Sequence, residues 1–154
     1  WHLADDAFFS RLARRPFIIN SSRGAVVDNA ALLSALRDGR VRQAVVDTRE
    51  GEPAINMALL DAVFIGTPHI AGYSADGKAN ADNMALDAIC RHFGLTPPPP
   101  VVPPSLSTDF VYTGDPLQLY DPLEDSRRLK ASPERFEWFR GNYPLRREHY
   151  QVRV

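Results

Sequence analysis

The stretch P-F-I-I-N-S-S-R-G-A-V-V-D-N-A-A-L-L-S-A-L-R-D-G, Pro16 to Gly39, decides how this chain is read. Its opening, Pro16 to Asn20, is a short apolar run ended by turn formers and Gly24, the pattern of a buried strand reaching a loop. Asp28 or Asn29 then caps a run that carries Ala31, Leu32, Ala35 and Leu36 at helical spacing, and Gly39 stops it. Strand, loop and helix therefore follow one another.

Downstream, Val41 to Asp47 repeats the strand theme, with Ala44, Val45 and Val46 expected inside and Asp47 at the strand's end. A short helix is expected over Met57 to Ala62 and a third strand over Val63 to Gly66. The order is β, α, β, α, β, and short connections between such units favour a parallel sheet with right-handed crossovers. Asp76 to Phe93 contains no Pro and closes on Gly94, which predicts a helix of about five turns.

The chain changes character after Leu95. Thr96 to Pro104 holds six of the thirteen prolines, four of them consecutive, and each ring fixes φ and removes a backbone donor, so this segment reads as an extended spacer. Beyond it, Phe110 to Tyr112 and Leu117 to Tyr120 are expected as short strands, and Pro133 to Arg140 as a helix with Phe136 and Phe139 on its apolar face. Residues 127–154 carry eight Lys or Arg against three Asp or Glu, a locally basic end that reads as a solvated, salt-bridged surface.

Eighteen Lys and Arg against nineteen Asp and Glu leave a net charge of -1, which speaks against a nucleic-acid partner. Hydrophobic residues at 44% and charged residues at 24% are those of a globular chain, not of a disordered or collagen-like one. The apolar runs, such as Ala44 to Val46, fall far short of the roughly 20 residues that span a bilayer, so no membrane partner is expected. The single Cys90 forms no internal disulfide and no leader is visible, which points to a reducing, cytoplasmic setting. With one Cys and no H-x-x-x-H or C-x-x-C spacing, no zinc site is expected. The chain opens on Trp1 and is read as a piece of a longer protein.

Open parallel sheets gather their reactive groups in the loops at the carboxyl ends of the strands. Here those loops carry Ser21, Ser22 and Arg23, then Asp47 and Glu52, then His69. A guanidinium holds a carboxylate bidentately, and an imidazole titrating near neutrality exchanges a proton with an alcohol as a hydride leaves. A carboxylate on the other ring nitrogen fixes the tautomer. Arg23, Glu52 and His69 thus suit proton-coupled hydride transfer on a hydroxy acid.

The motifs N-S-S-R-G-A-V-V-D-N-A-A-L-L-S-A-L (Asn20 to Leu36), V-V-D-T-R-E-G-E-P (Val45 to Pro53) and T-P-H-I-A-G-Y-S (Thr67 to Ser74) resemble those of the D-isomer-specific 2-hydroxyacid dehydrogenases. Tyr120-Asp121-Pro122 and F-E-W-F-R-G-N-Y-P-L-R-R-E (Phe136 to Glu148) are similar to a C-terminal dimerisation domain found in one branch of that family. The resemblance implies an α/β fold: residues 1–95 as the C-terminal part of a Rossmann-type, NAD-binding parallel-sheet domain with its return helix, 96–104 as a linker, and 105–154 as a small α+β dimerisation domain. It makes Arg23 the substrate-binding catalytic arginine, His69 the general acid/base and Glu52 its partner. It assigns Ser21, Ser22, Asp47 and Gly72 to the cofactor NAD and Tyr73 to the substrate. The implied partners are a small phosphorylated hydroxy acid and a second copy of the chain, and the implied reaction serves pyridoxal 5'-phosphate biosynthesis.

Two departures accompany the resemblance. No G-x-G-x-x-G precedes the first strand, so the pyrophosphate turn is expected upstream of Trp1 and the chain is expected to be inactive alone. Thr48-Arg49 stands where relatives carry an apolar residue and an aromatic, which bears on how that loop packs. His2 is expected in a structural or cofactor-edge role, His92 and His149 show no evident partner, and Arg146 and Arg147 are read as interface ion-pair residues. The alternatives are a sister dehydrogenase, for example one acting on phosphoglycerate, and a non-catalytic dimerising fragment.

Overall fold

The computed structural model describes residues 1–148; His149 and the rest of the tail lie outside the described residues. The chain divides into two compact units, Trp1–Ala71 with Pro122–Tyr143, and Gly72–Asp121 with residues 144–148. The expected division at the proline spacer is thus not where the compact units part.

In the first unit, β1 (Phe17–Asn20), β2 (Gln43–Val46) and β3 (Ile65–Gly66) form a parallel sheet in the order β1-β2-β3. Asn20 pairs with Val46 and Val46 with Gly66, so the three strands end in register and their loops leave the sheet side by side. The helices begin where local capping dictates. Asp5 accepts from Phe8 N at the start of α1 (Asp6–Ser10), Asp28 from Ala30 N and Ala31 N at α2 (Asn29–Arg37), and Asn56 from Leu59 N at α3 (Met57–Ala62). Phe9, Leu32 and Leu59 from these helices pack with Ala44 and Val46 into one buried core.

The sheet face that carries Phe17 and Ile19 is open, with these side chains 55% and 71% exposed. The expectation of a fully buried first strand therefore holds for only one face. A parallel strand is covered on both sides only where helices lie on both, and among the described residues the core forms on the Ile18 side.

A helix unforeseen in the sequence, α5 (Pro122–Ala131), lies against β3: Gly66 N donates to Ser126 Oγ at 2.9 Å and Lys130 Nζ to Val63 O at 2.7 Å. Leu129 joins Ile55, Leu60 and Phe136 in a second apolar cluster. The helix expected at Pro133 starts as a 3-10 turn, Pro133–Arg135, and becomes α6 (Phe136–Gly141).

In the second unit, α4 (Ala75–Phe93) is capped by Ser74, whose hydroxyl accepts from Gly77 N, and closed by Gly94 at φ 65°. Asn83 on α4 holds the proline-rich segment through two bonds with Val101, at 2.8 and 3.0 Å. The strands expected at Phe110 to Tyr112 and Leu117 to Tyr120 are absent. Asp115 caps a 3-10 turn at Pro116–Gln118, and Gln118 Oε1 accepts from Thr113 N at 2.8 Å, so local Asp-Pro turn chemistry overrides the apolar pattern. The α+β character expected of residues 105–154 is corrected on this point: the described part of that segment is helical and irregular, without a strand.

Candidate active site

The site grows from the residues that follow the three aligned strand ends. At the end of β1, Asn20 is buried, and its side chain closes the next turn by accepting from Ser22 N and Ser22 Oγ and donating to Arg23 O. The same amide donates to Thr48 O, which ties the first loop to the second. Gly24 permits that approach. A Cβ there would lie 2.1 Å from the carbonyl oxygen of Arg49.

At the end of β2, Asp47 is also buried and faces the third loop. Its Oδ1 accepts from Thr67 Oγ1 at 2.6 Å and Ile70 N at 2.8 Å, and its Oδ2 from Ala71 N at 3.0 Å. Its backbone carbonyl accepts from His69 N at 3.0 Å. These four bonds hold His69 at φ 59°, a left-handed conformation that costs a non-glycine residue about 1–3 kcal/mol and persists where its surroundings over-determine it.

The strained turn brings the imidazole to Glu52. His69 Nδ1 is 2.7 Å from Glu52 Oε2, and the other carboxylate oxygen accepts from Arg49 N at 2.7 Å. The side chains are 22% and 15% exposed, enough for a ligand to reach and little enough that water screens the pair weakly. An ionised carboxylate only accepts, so the bonded Nδ1 carries the proton and Nε2 is left as the acceptor of the ring.

Of the sequence-predicted residues, Glu52 and His69 meet and Asp47 supports their loop. Arg23 is exposed, and its guanidinium donates to Ser22 O at 2.7 Å, within its own loop, not to Glu52 or His69. Ser21 and Ser22 lie exposed on that loop. Gly72 and Tyr73 belong to the second unit. A Cβ on Gly72 would meet nothing within 4 Å, and the Tyr73 ring faces Lys78 Nζ at 4.5 Å from its centroid.

Sequence reasoning missed Asn20 and Thr67, whose roles are hydrogen-bonding ones, and it treated Arg49 only as a departure. Arg49 is 3% exposed; burial pulls its pKa down to about 10, against the opposing charges of Asp47 and Glu52, and it remains a cation at neutral pH. His2 is tied to two carboxylates: its Nε2 lies 2.5 Å from Glu50 Oε1 and its Nδ1 3.4 Å from Asp28 Oδ2, while Glu50 Oε2 accepts from Asn29 N. The signal for that tie was the spacing of two acidic residues around cap and loop, which no local pattern exposes. Arg147 pairs within its own unit, with Asp76, and needs no interface.

Residues 1–71 match the family described as D-isomer specific 2-hydroxyacid dehydrogenase, NAD binding domain. The chain is 53% identical to the erythronate-4-phosphate dehydrogenase of Bacteroides thetaiotaomicron over 96% of its own length and 44% of that protein's. To the enzyme of the same description from Bacteroides fragilis it is 49% identical, over 100% of this chain and 45% of the other. The chain therefore spans less than half the length of these curated relatives. The fold is similar to that of the apo D-mandelate dehydrogenase of Rhodotorula graminis, with TM-score 0.55 and 31% identity over 68% of this chain and 32% of that one.

Proposed function

We propose that this chain, whose residues 1–71 match the D-isomer specific 2-hydroxyacid dehydrogenase NAD binding domain, supplies the acid/base and nicotinamide-side part of an enzyme oxidising 4-phospho-D-erythronate to 2-oxo-3-hydroxy-4-phosphobutanoate. The observation that carries the proposal is the His69–Glu52 bond at the carboxyl edge of a parallel sheet. The substrate class rests on the identity to the two Bacteroides enzymes.

NAD, when bound, supplies the acceptor for the hydride that leaves C2. The residues present fit such a group. Gly72 has open space where a side chain would stand, so nothing in the chain's own packing near it obstructs a close approach. Ser21 and Ser22 offer exposed hydroxyls beside the first strand's end, and the Asp47 carboxylate has acceptor capacity beyond its three bonds. His69 Nε2 takes the hydroxyl proton as C2 becomes a carbonyl, and Glu52 holds the ring and offsets the imidazolium charge. Arg23 swings from Ser22 O to hold the substrate carboxylate through its fork. Tyr73 contacts the substrate.

On this reading the reaction serves pyridoxal 5'-phosphate biosynthesis in the cytoplasm. Among the described residues no helix is long and apolar enough to cross a membrane. Homodimerisation is assigned to residues 105–154, where Leu117, Trp138 and Leu145 are exposed. The chain alone is taken to be inactive. The test is a chimera in which this chain replaces the matching segment of the Bacteroides thetaiotaomicron relative. It should reduce NAD with 4-phospho-D-erythronate and lose that activity with His69→Gln. Preference for phosphoglycerate would assign a sister dehydrogenase, and an inert but folded, dimeric chimera a non-catalytic role.

A further inference from the structure

The Arg49 side chain reaches from the second loop to the third. Its Nη2 donates to Val46 O at 2.7 Å, and its Nη1 to Thr67 O at 2.8 Å and, more weakly, to Asp47 O at 3.5 Å. The fork therefore joins the last carbonyl of β2, which also accepts from Thr67 N at 3.1 Å, to the first carbonyl after β3. A lysine's point charge would not span the two, because the guanidinium presents its donors in a rigid plane. Meanwhile the backbone amide of the same residue holds Glu52 Oε1.

The surrounding chain is shaped for this side chain. A Cβ on Gly66 would lie 2.4 Å from Arg49 Nη2, so this glycine leaves room for the arginine side chain. Burying a cation in this way costs free energy unless it is hydrogen-bonded, and its bonds go to strand-end carbonyls, with Nε left without a partner. A charge kept buried on such terms calls for a reason beyond packing.

We propose that Arg49 is a positioning residue: it clamps the loop that carries Glu52 to the loop that carries His69, and so sets the Nδ1–carboxylate bond. This deepens the reading of His69 and Glu52 as the acid/base pair and rests on it. Asp47 holds the His69 turn from one side, and Arg49 holds the base of that turn and the carboxylate from the other.

The test is the imidazole nitrogen spectrum of this chain, with His69 assigned through His69→Gln. The wild type should show His69 with its proton on Nδ1 and that proton protected from exchange. Glu52→Gln defines the signal of a broken pair. Arg49→Met and Gly66→Ala should each reduce the protected Nδ1–H signal at least severalfold in a chain that still gives a dispersed amide spectrum. Arg49→Lys should restore it only in part. If folded Arg49→Met keeps the wild-type signal, the proposal is overturned. Should Arg49→Met not fold, Arg49→Lys decides, since an unchanged signal there overturns it equally. A wild type indifferent to Glu52→Gln would instead sink the acid/base pair itself, which separates the two failures.

Discussion

His69 Nδ1 and Glu52 Oε2 stand 2.7 Å apart, although seventeen positions separate them and they leave different strands. The parallel register sets this relationship: with Val46 beside Gly66, the residues after each strand emerge together, and Asp47 then folds the third loop back over the second. Removing the carboxylate charge leaves the ring without a fixed tautomer. In the chimeric enzyme, Glu52→Gln should lower kcat by about 100-fold, the scale of a misdirected general base. Steady-state rates check this, and an unchanged kcat would count against His69 as the base.

Arg23 makes its bond within its own loop and is exposed, so it contributes little to folding. Arg23→Ala should leave the unfolding free energy of this chain within about 0.5 kcal/mol of the wild type. In the chimera the same change should raise KM for the hydroxy acid at least about tenfold, since a bond to a charged group is worth roughly 1.5–3 kcal/mol. Urea unfolding and steady-state kinetics measure the two halves. A large loss of stability would mean that the exposed position misstates its role.

Gly24 tests the contact between the first and second loops. An alanine there must move its Cβ away from an oxygen 2.1 Å distant, and that oxygen belongs to backbone, which yields poorly. Gly24→Ala should cost about 1–3 kcal/mol by urea unfolding, the range for overpacking. Gly94→Ala meets no atom within 4 Å but must hold φ at 65°, and it should cost about 1 kcal/mol from the left-handed backbone alone. Equal losses at the two sites would remove the steric argument for Gly24.

The parts of this molecule that were legible in its sequence are those decided by neighbours along the chain. Asp28, Asn56 and Gly94 mark helix ends through caps that act within a turn, and the helices over Asn29–Arg37, Met57–Ala62 and Ala75–Phe93 follow. The segment Pro122–Ala131 carried comparable signals, with Pro at its first position, Glu124 and Asp125 early and Arg128 and Lys130 late. Its large apolar residues are Leu123 and Leu129 alone, set among five charged ones, so no apolar stripe marks the helix. Arg49 was illegible for a different reason. Its burial depends on carbonyls that only the strand register brings together, and an arginine beside two acidic residues has the same local pattern as a surface loop.

The pair of Asp76 and Arg147 gives the chain a defined acid response in its second unit. The two guanidinium bonds, at 2.9 and 3.0 Å, together with the Glu148 amide, hold the Asp76 carboxyl below its ordinary value of 3.8, the Arg147 hydrogen bond being the largest cause. A carboxyl depressed in the folded state contributes stability that is fully present above its unfolded value and is lost as pH falls through its folded one. Asp76→Asn should therefore be less stable than the wild type at neutral pH, by roughly 1.5–3 kcal/mol for a bond to a charged group. The gap should close as pH falls below 3.8 towards the lower folded value. Urea unfolding of both forms between neutral and strongly acid pH measures it. A gap that stays constant across that range would show that the carboxylate's charge is not what holds Arg147 in place.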